Sequence, residues 1–183
     1  MTLPEKRRAA AGEAAALRGD LLAGDQFDST SGAAEAAVVG AVVFAATEIQ
    51  DLVLKLVTDT DFAEPRSRFV IGVVRQMRAE GLPVDALTVI GYVARHARLE
   101  AGKPRVALAT WLHETIDAAP VPASAAYYAG MVVEAAARRR AVEAAQRIAA
   151  AAEGGPLADL QTIVSDELAA VTAAVARVGG QHV

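Results

Sequence analysis

The sequence has no cysteine, only three lysines, and aromatic residues at 4% of its 183 positions. Without cysteine there is no disulfide framework, no thiolate metal site and no cysteine nucleophile, and a reducing cytosol is the natural setting. The lysines are Lys6, Lys55 and Lys103. A phosphate-binding P-loop ends in Gly-Lys followed by Ser or Thr, so that backbone amides and the ammonium hold the phosphates. Lys103 follows Gly102 but precedes Pro104, with no glycine five residues before it, so no P-loop is present. A GxGxxG fingerprint is also absent.

Long hydrophobic runs are missing too. The longest stretch free of charge and strong polarity runs from Ala36 to Ala46, fenced by Glu35 and Glu48, whereas a spanning helix needs roughly twenty apolar residues. The positive mean hydropathy of +0.29 comes from alanine, which makes up about a quarter of the chain. Met1 to Arg8 carries Lys6, Arg7 and Arg8, but no leucine-rich stretch follows, so it reads poorly as a secretory signal. A net charge of −4 and a pI near 5.4 argue against a dedicated nucleic-acid binder, which carries a basic patch or a high pI.

The apolar positions recur at helical spacing, and no strand-like alternation is evident. An alanine-rich arm and linker cover residues 1–30, and Ser31 is a candidate N-cap for the first core helix. That helix carries Val38, Val39, Val42, Val43 and Phe44 on its apolar side. Thr47 caps a second helix with Ile49, Leu52, Val53 and Leu56 inward. Asp59 to Pro65 is a turn, and a third helix from about Arg66 to Ala79 buries Phe69, Val70, Val73, Val74 and Met77 before Gly81 ends it. Asp85 caps a fourth helix with Leu87, Val89, Ile90, Tyr92 and Val93, and a fifth holds Val106, Leu108, Trp111, Leu112 and Ile116. Phe44, Phe62, Phe69 and Trp111 are expected in the core of this head.

From about Pro122 to Glu153 lies one helix of roughly 45 Å. Gly154, Gly155 and Pro156 turn the chain into a last helix over Leu157–Val178. Leu157, Leu160, Val164, Leu168, Val171, Val175 and Val178 follow steps of three and four residues, a coiled-coil-like seam. The fold class is therefore all-α: a small helical bundle head (31–120), a long antiparallel helical hairpin (121–178) and a short tail (179–183). A two-helix hairpin leaves one face uncovered and wants a partner. The expected dimer interface is Val142, Ile148, Leu157, Leu160, Val164, Leu168, Val171 and Val175.

Candidate chemistry is sparse. His96, His113 and His182 are scattered and read as surface or boundary residues, so no metal site, catalytic residue or cofactor is expected. Asp59, Asp61 and Glu64 share one turn and suit turn and capping chemistry. Arg138, Arg139 and Arg140 fan around a helix, with Glu134 and Glu143 at helical spacing to neutralise part of their charge. Together with Tyr127 they are the candidate contacts to a partner or nucleic acid, and Arg66, Arg68, Arg75 and Arg78 form a second basic cluster on the third helix. Tyr127 and Tyr128 suit packing of the hairpin base onto the head, or contact with a partner.

Four segments in order carry a family resemblance: Ala34-Glu35-Ala36-Ala37-Val38-Val39-Gly40; Asp61-Phe62-Ala63-Glu64-Pro65 with Arg68 and Phe69; Gly81-Leu82-Pro83-Val84-Asp85-Ala86-Leu87-Thr88-Val89; and Ala119-Pro120-Val121-Pro122-Ala123-Ser124-Ala125-Ala126-Tyr127-Tyr128-Ala129. With them the chain from Ser31 to about Ala174 resembles the N-terminal domain of replicative DnaB-type hexameric helicases. The resemblance implies a non-catalytic helical head and hairpin that pairs with itself and docks primase, the helicase or a loader in DNA replication, in a bacterial or bacteriophage cytoplasm. It departs from the family at Ala36, where a Gln is usual, and in lacking the ATPase domain, so the chain is expected to have no helicase activity of its own. A helical DNA-binding or regulatory protein is the alternative, and any contact with DNA is expected to be weak.

Overall fold

The computed structural model describes residues 30–96, 103–119, 121–154 and 156–179; the arm over 1–29 and the tail beyond 179 lie outside the described residues. Every described element is helical: α1 (Thr30–Phe44), α2 (Thr47–Leu56), a single 3₁₀ turn (Asp59–Asp61), α3 (Pro65–Ala79), α4 (Ala86–His96), α5 (Lys103–Ala118), a second 3₁₀ turn (Pro122–Ser124), α6 (Ala125–Gly154) and α7 (Leu157–Gly179). This is the all-α head-and-hairpin architecture that the spacing predicts. No described helix is long and apolar enough to cross a membrane.

Helix α1 is the axis of the head. All ten residues from Ala34 to Val43 are buried, because α2, α3, α4, α5 and α6 pack around it. A helix surrounded in this way must be apolar or small on every side, which explains its run of alanine and valine. The close approach of α5 falls at Gly40. A Cβ there would sit 2.6 Å from Ala119 Cβ and 2.8 Å from the Thr115 carbonyl. Only glycine lets the two backbones meet at this distance.

Phe44 corrects the sequence reading: it is 72% exposed. It is the last residue of α1, where the helix emerges from the surrounding layer, so continuing the apolar phase no longer points it at neighbours. Leu52 is also exposed, because the inward stripe of peripheral α2 runs through Ile49, Gln50 and Val53 and leaves Leu52 on the flank. Leu87 and Val106 are exposed as well, each in the first turn of its helix, α4 and α5, ahead of the residues that meet the core. The expected caps at Ser31 and Thr47 are replaced. Helix α1 already includes Thr30. Ala46 takes the cap position of α2 without any side-chain bond, and its carbonyl accepts the first helical hydrogen bonds, from the N–H groups of Ile49 and Gln50. The linkage between α1 and α2 is held instead by buried Gln50, whose Nε2 donates to the carbonyls of Ala45 and Val84 at 3.0 and 3.2 Å.

Other termini follow the sequence closely. Gly81 has φ +72°, and Leu82 N–H reaches Met77 O at 2.9 Å while Gly81 N–H reaches Arg78 O at 3.1 Å. This paired closure satisfies the last carbonyls of α3 and needs a residue that tolerates positive φ. Asp85 and Thr88 form a reciprocal cap on α4: Thr88 N–H donates to Asp85 Oδ1 at 2.8 Å, and Asp85 N–H to Thr88 Oγ1 at 2.9 Å. Pro156 stands just before α7, with its carbonyl accepting from the N–H groups of Asp159 and Leu160.

The core comprises Val38, Val39, Val42, Val53, Phe62, Val70, Ile71, Val74, Met77, Tyr92, Leu108, Trp111 and Leu112, among others. It also takes in Ala125, Ala129, Val132 and Val133. The first half of α6 is thus part of the head, and the hairpin grows directly out of the core. Gly40→Ala is expected to push α1 and α5 apart and to lower the unfolding free energy by about 1–3 kcal/mol, measured by urea denaturation. Stability equal to the unmodified chain would show that the helices relax without cost.

Candidate functional site

Beyond the core shared by α1 and α6, the head and both hairpin helices converge on a short segment, Thr58 to Glu64. Its 3₁₀ turn forms because Thr58 and Asp61 cap each other, with Thr58 N–H donating to Asp61 Oδ2 at 2.7 Å. Glu64 then caps α3, its Oε1 accepting from Arg66 N–H at 3.3 Å and from Arg66 Nε at 2.6 Å. Asp61 and Glu64 of the acidic cluster therefore do capping work, and no group of three or more His, Cys, Asp or Glu among the described residues is arranged to hold a metal.

Four elements grip this turn. Glu35, buried in α1, accepts from the backbone N–H groups of Ala63 at 2.8 Å and Glu64 at 3.0 Å. Arg68 of α3 donates twice to the Phe62 carbonyl, at 3.2 and 2.8 Å. Arg139 of α6 donates to the Asp61 carbonyl at 2.9 Å. Arg177, near the end of α7, makes a two-pronged ion pair with the Asp61 carboxylate at 2.9 and 2.7 Å. Such fork-to-fork pairing fixes orientation as well as distance. It closes the base of the hairpin onto the head across 116 residues of sequence.

The two buried carboxylates have opposite electrostatics. Burial pushes the Glu35 carboxyl above its ordinary value, outweighing the two amide bonds and the charge of Arg139. Burial acts the same way on Asp61, but the hydrogen bonds and charge of Arg177, together with the bonds from Thr58, outweigh it and hold Asp61 below its ordinary value.

The arginine run is divided among separate tasks. Arg138 is exposed and pairs with Glu134 at 2.6 Å, Arg139 is used on the turn, and Arg140 donates to Thr60 Oγ1 at 3.1 Å. Glu143 faces Arg147 instead of the run, at 3.9 Å. On α3, Arg66 pairs with Glu64 and Arg78 with Asp51, while Arg75 donates to the carbonyls of Leu54 and Val57. His96 and His113 are exposed, and each ring nitrogen bonds the carbonyl four residues back. Tyr128 is half-buried against the core. Tyr127 is exposed beside it, the rings meeting edge-on at 5.7 Å.

The residues of the apolar seam divide into two sets. Leu160, Val171 and Ile148 are half-buried, with small Ala144 and Ala174 buried in the hairpin. Leu157, Leu168 and Val175 are exposed by 82%, 64% and 57%, and Val164 is exposed beside them. At 100° per residue these four share one side of α7. Val142 is exposed as well, but it sits on the opposite side of α6 from buried Ala144. Apart from Tyr127 and Val142 on α6, the large apolar side chains left exposed on this hairpin form a row on α7, continuous with the stripe that faces α6.

Two predictions follow from the grip on the turn. Glu35→Ala leaves two amide donors without their acceptor and is expected to cost about 2–4 kcal/mol, read by chemical denaturation; a loss below the error of the measurement would refute the role assigned to the carboxylate. The pH dependence has a defined sign. Glu35, raised above 4.5, takes up its proton in the folded state first, so its contribution to stability grows as pH falls toward 4.5. Asp61, lowered below 3.8, contributes stability that is complete above 3.8 and lost as pH falls beneath it. Thermal stability is therefore expected to fall steeply below pH 3.8, and Asp61→Asn should be less stable at neutral pH with a smaller acid loss.

Comparison with known proteins places this geometry. The family model for the DnaB-like helicase N terminal domain matches residues 28–134, which include all four motif segments and end within α6. Replicative DNA helicase DnaB of Mycobacterium leprae (strain TN) is 36% identical over 132 residues, covering 70% of this chain and 21% of that protein. Replicative DNA helicase DnaB of Leifsonia xyli subsp. xyli (strain CTCB07) is 32% identical over 115 residues, covering 63% of this chain and 24% of that protein. The chain thus spans less than a quarter of the length of these relatives. The crystal structure of the N-terminal domain of DnaB helicase from Mycobacterium tuberculosis has the same helical fold, with a TM-score of 0.65 and 32% identity, over 74% of this chain and 94% of that one. With more than half of its residues inside the family model and its fold shared with a member, the chain belongs to the DnaB-like helicase N terminal domain family.

Proposed function

We propose that this chain acts in DNA replication as a non-catalytic interaction and oligomerisation module, pairing with a second copy through its hairpin and docking to primase, replicative helicase or a loader. The single observation that carries the pairing is the exposed row Leu157, Val164, Leu168 and Val175. A solvent-facing apolar stripe of this length on a two-helix hairpin is stabilised by a partner of the same kind. Val142, Ile148, Leu160 and Val171 extend the interface proposed from the sequence. Exposed Tyr127 is the proposed anchor for a different protein, since aromatic side chains concentrate binding energy at interfaces.

Duplex DNA is the weaker reading. Arg66, Arg78 and Arg138 are neutralised by Glu64, Asp51 and Glu134, and Arg75 is held by the carbonyls of Leu54 and Val57, which leaves few cations free to release counterions from the backbone of a duplex. Family membership supports a place in replication, and the match to the N-terminal domain alone supports a role without ATP hydrolysis.

Sedimentation velocity tests the pairing. At micromolar concentration the chain is expected to run as a dimer or larger species. The double substitution Val164→Glu with Leu168→Glu should convert it to monomer with an unchanged helical circular dichroism spectrum. A strict monomer before any substitution would overturn the pairing, and an unaffected oligomer after it would move the interface elsewhere.

A further inference from the structure

Above the turn, α3, α6 and α7 enclose a polar groove of about 340 Å³. Four guanidinium groups line it, those of Arg68, Arg139, Arg140 and Arg147, against the two carboxylates of Glu143 and Glu167. Arg147 is neutralised, since it forms a two-pronged pair with Glu167 and faces Glu143 at 3.9 Å. Its hydrogen bonds hold Glu167 below the usual carboxylate range. The other three differ. Arg68 and Arg139 each bond a backbone carbonyl, and Arg140 bonds only the Thr60 hydroxyl. Arg68 gives its Nε–H and one terminal N–H to that carbonyl, Arg139 and Arg140 each give one N–H, and none of these acceptors is a carboxylate. Each guanidinium carries five donors in a rigid fork, so three positive groups face one concavity with most of their donors unspent and, among the described residues, no carboxylate within ion-pair distance of any of them.

Holding three like charges together costs Coulomb energy that nothing in the hairpin's own packing requires. Helix position explains part of the arrangement, since Arg139 and Arg68 hold the turn. It does not explain Arg140, whose hydroxyl partner is neutral and exposed. A concave cluster of this sign attracts an anion, and guanidinium forks match tetrahedral phosphate oxygens in geometry as well as charge. The volume suits a small anion and not a strand or helix of a partner.

We propose that this groove binds a small anion with two or more phosphoryl groups, such as pyrophosphate or the phosphate chain of a nucleotide, seated between Arg68, Arg139 and Arg140. The walls come from both parts of the molecule: Thr60 and Arg68 from the head, Arg140 and Arg147 from the hairpin. A bound anion therefore ties the hairpin to the head and raises the stability of the joined state by mass action.

The experiment uses the full chain with pyrophosphate, ATP and inorganic phosphate as ligands, read by isothermal titration calorimetry and by thermal shift at about 50 mM salt, where screening is modest. Pyrophosphate is expected to bind more tightly than phosphate and to raise the melting temperature. Arg140→Ala should weaken binding about tenfold or more. Glu167→Gln should strengthen it, because Arg147 is then released toward the groove. Arg78→Ala, whose partner Asp51 lies away from the groove, controls for general loss of positive charge and should leave binding unchanged. Equal affinities for ATP and pyrophosphate assign recognition to the phosphates alone, and a tighter ATP adds its nucleoside; both outcomes support the site. Absence of binding by both ligands overturns it, as does binding that survives Arg140→Ala. Binding of a short single-stranded oligonucleotide without binding of pyrophosphate also overturns it, and assigns the groove to a nucleic-acid strand.

Discussion

The fold depends on how the backbone of Thr58 to Glu64 is held. This turn presents two N–H groups and two carbonyls that are satisfied from three helices: both N–H groups by Glu35 of α1, and the carbonyls by Arg68 of α3 and Arg139 of α6. Arg177 of α7 adds the ion pair to Asp61. Unpaired, these groups would cost more than the bonds yield, because desolvated peptide groups are expensive. The turn thus works as a shared fixing point for most of the bundle. Placing Glu35 in the core is the main cost of the arrangement, visible as a carboxyl whose burial outweighs its hydrogen bonds. Asp61 shows the reverse balance, since its arginine and the cap together overcome burial.

Small side chains supply the second constraint. Glycine at position 40 lets α1 and α5 touch, and alanine at 125, 129, 136, 137, 144 and 174 lets neighbouring helices approach closely along α6 and α7. Alanine also favours the helix itself, which suits a hairpin whose far end has no core to rest on. The consequence is a division of labour. The bulky residues of the head fill its interior, whereas the few bulky residues of α7 are not needed between the two helices and several stand outward. The same geometry that makes the hairpin thin leaves it with an uncovered apolar edge.

Much of the architecture was legible before any coordinates. Gly81, the Asp85–Thr88 pair and Pro156 mark element ends through local chemistry that reaches no further than a few residues. The valine and leucine spacing marks helices and their inner faces. Phe44 and Leu52 escaped this reading because periodicity reports which residues share a face and not whether a neighbour is present to cover it. Glu35 carried a signal in plain view, a single acid inside an otherwise apolar helix, but the amides it serves lie 28 and 29 residues away. The arginine run was readable as charge on a helix. Its separation into a surface pair, a turn clamp and a groove wall was not.

The absences noted at the outset set firm limits by themselves. No cysteine means no disulfide brace, and no lysine in a P-loop means no P-loop, because both depend on residue identity at close spacing. Helix content, helix ends and membership of the family likewise rest on local pattern and ordered motifs. Only the tertiary structure decided how Asp61 meets Arg177, which face of α7 stays uncovered and which arginines keep their charge unpaired. Those outcomes depend on residues that are distant along the chain and are brought together by packing, and burial and ion pairing exist only once the helices have docked.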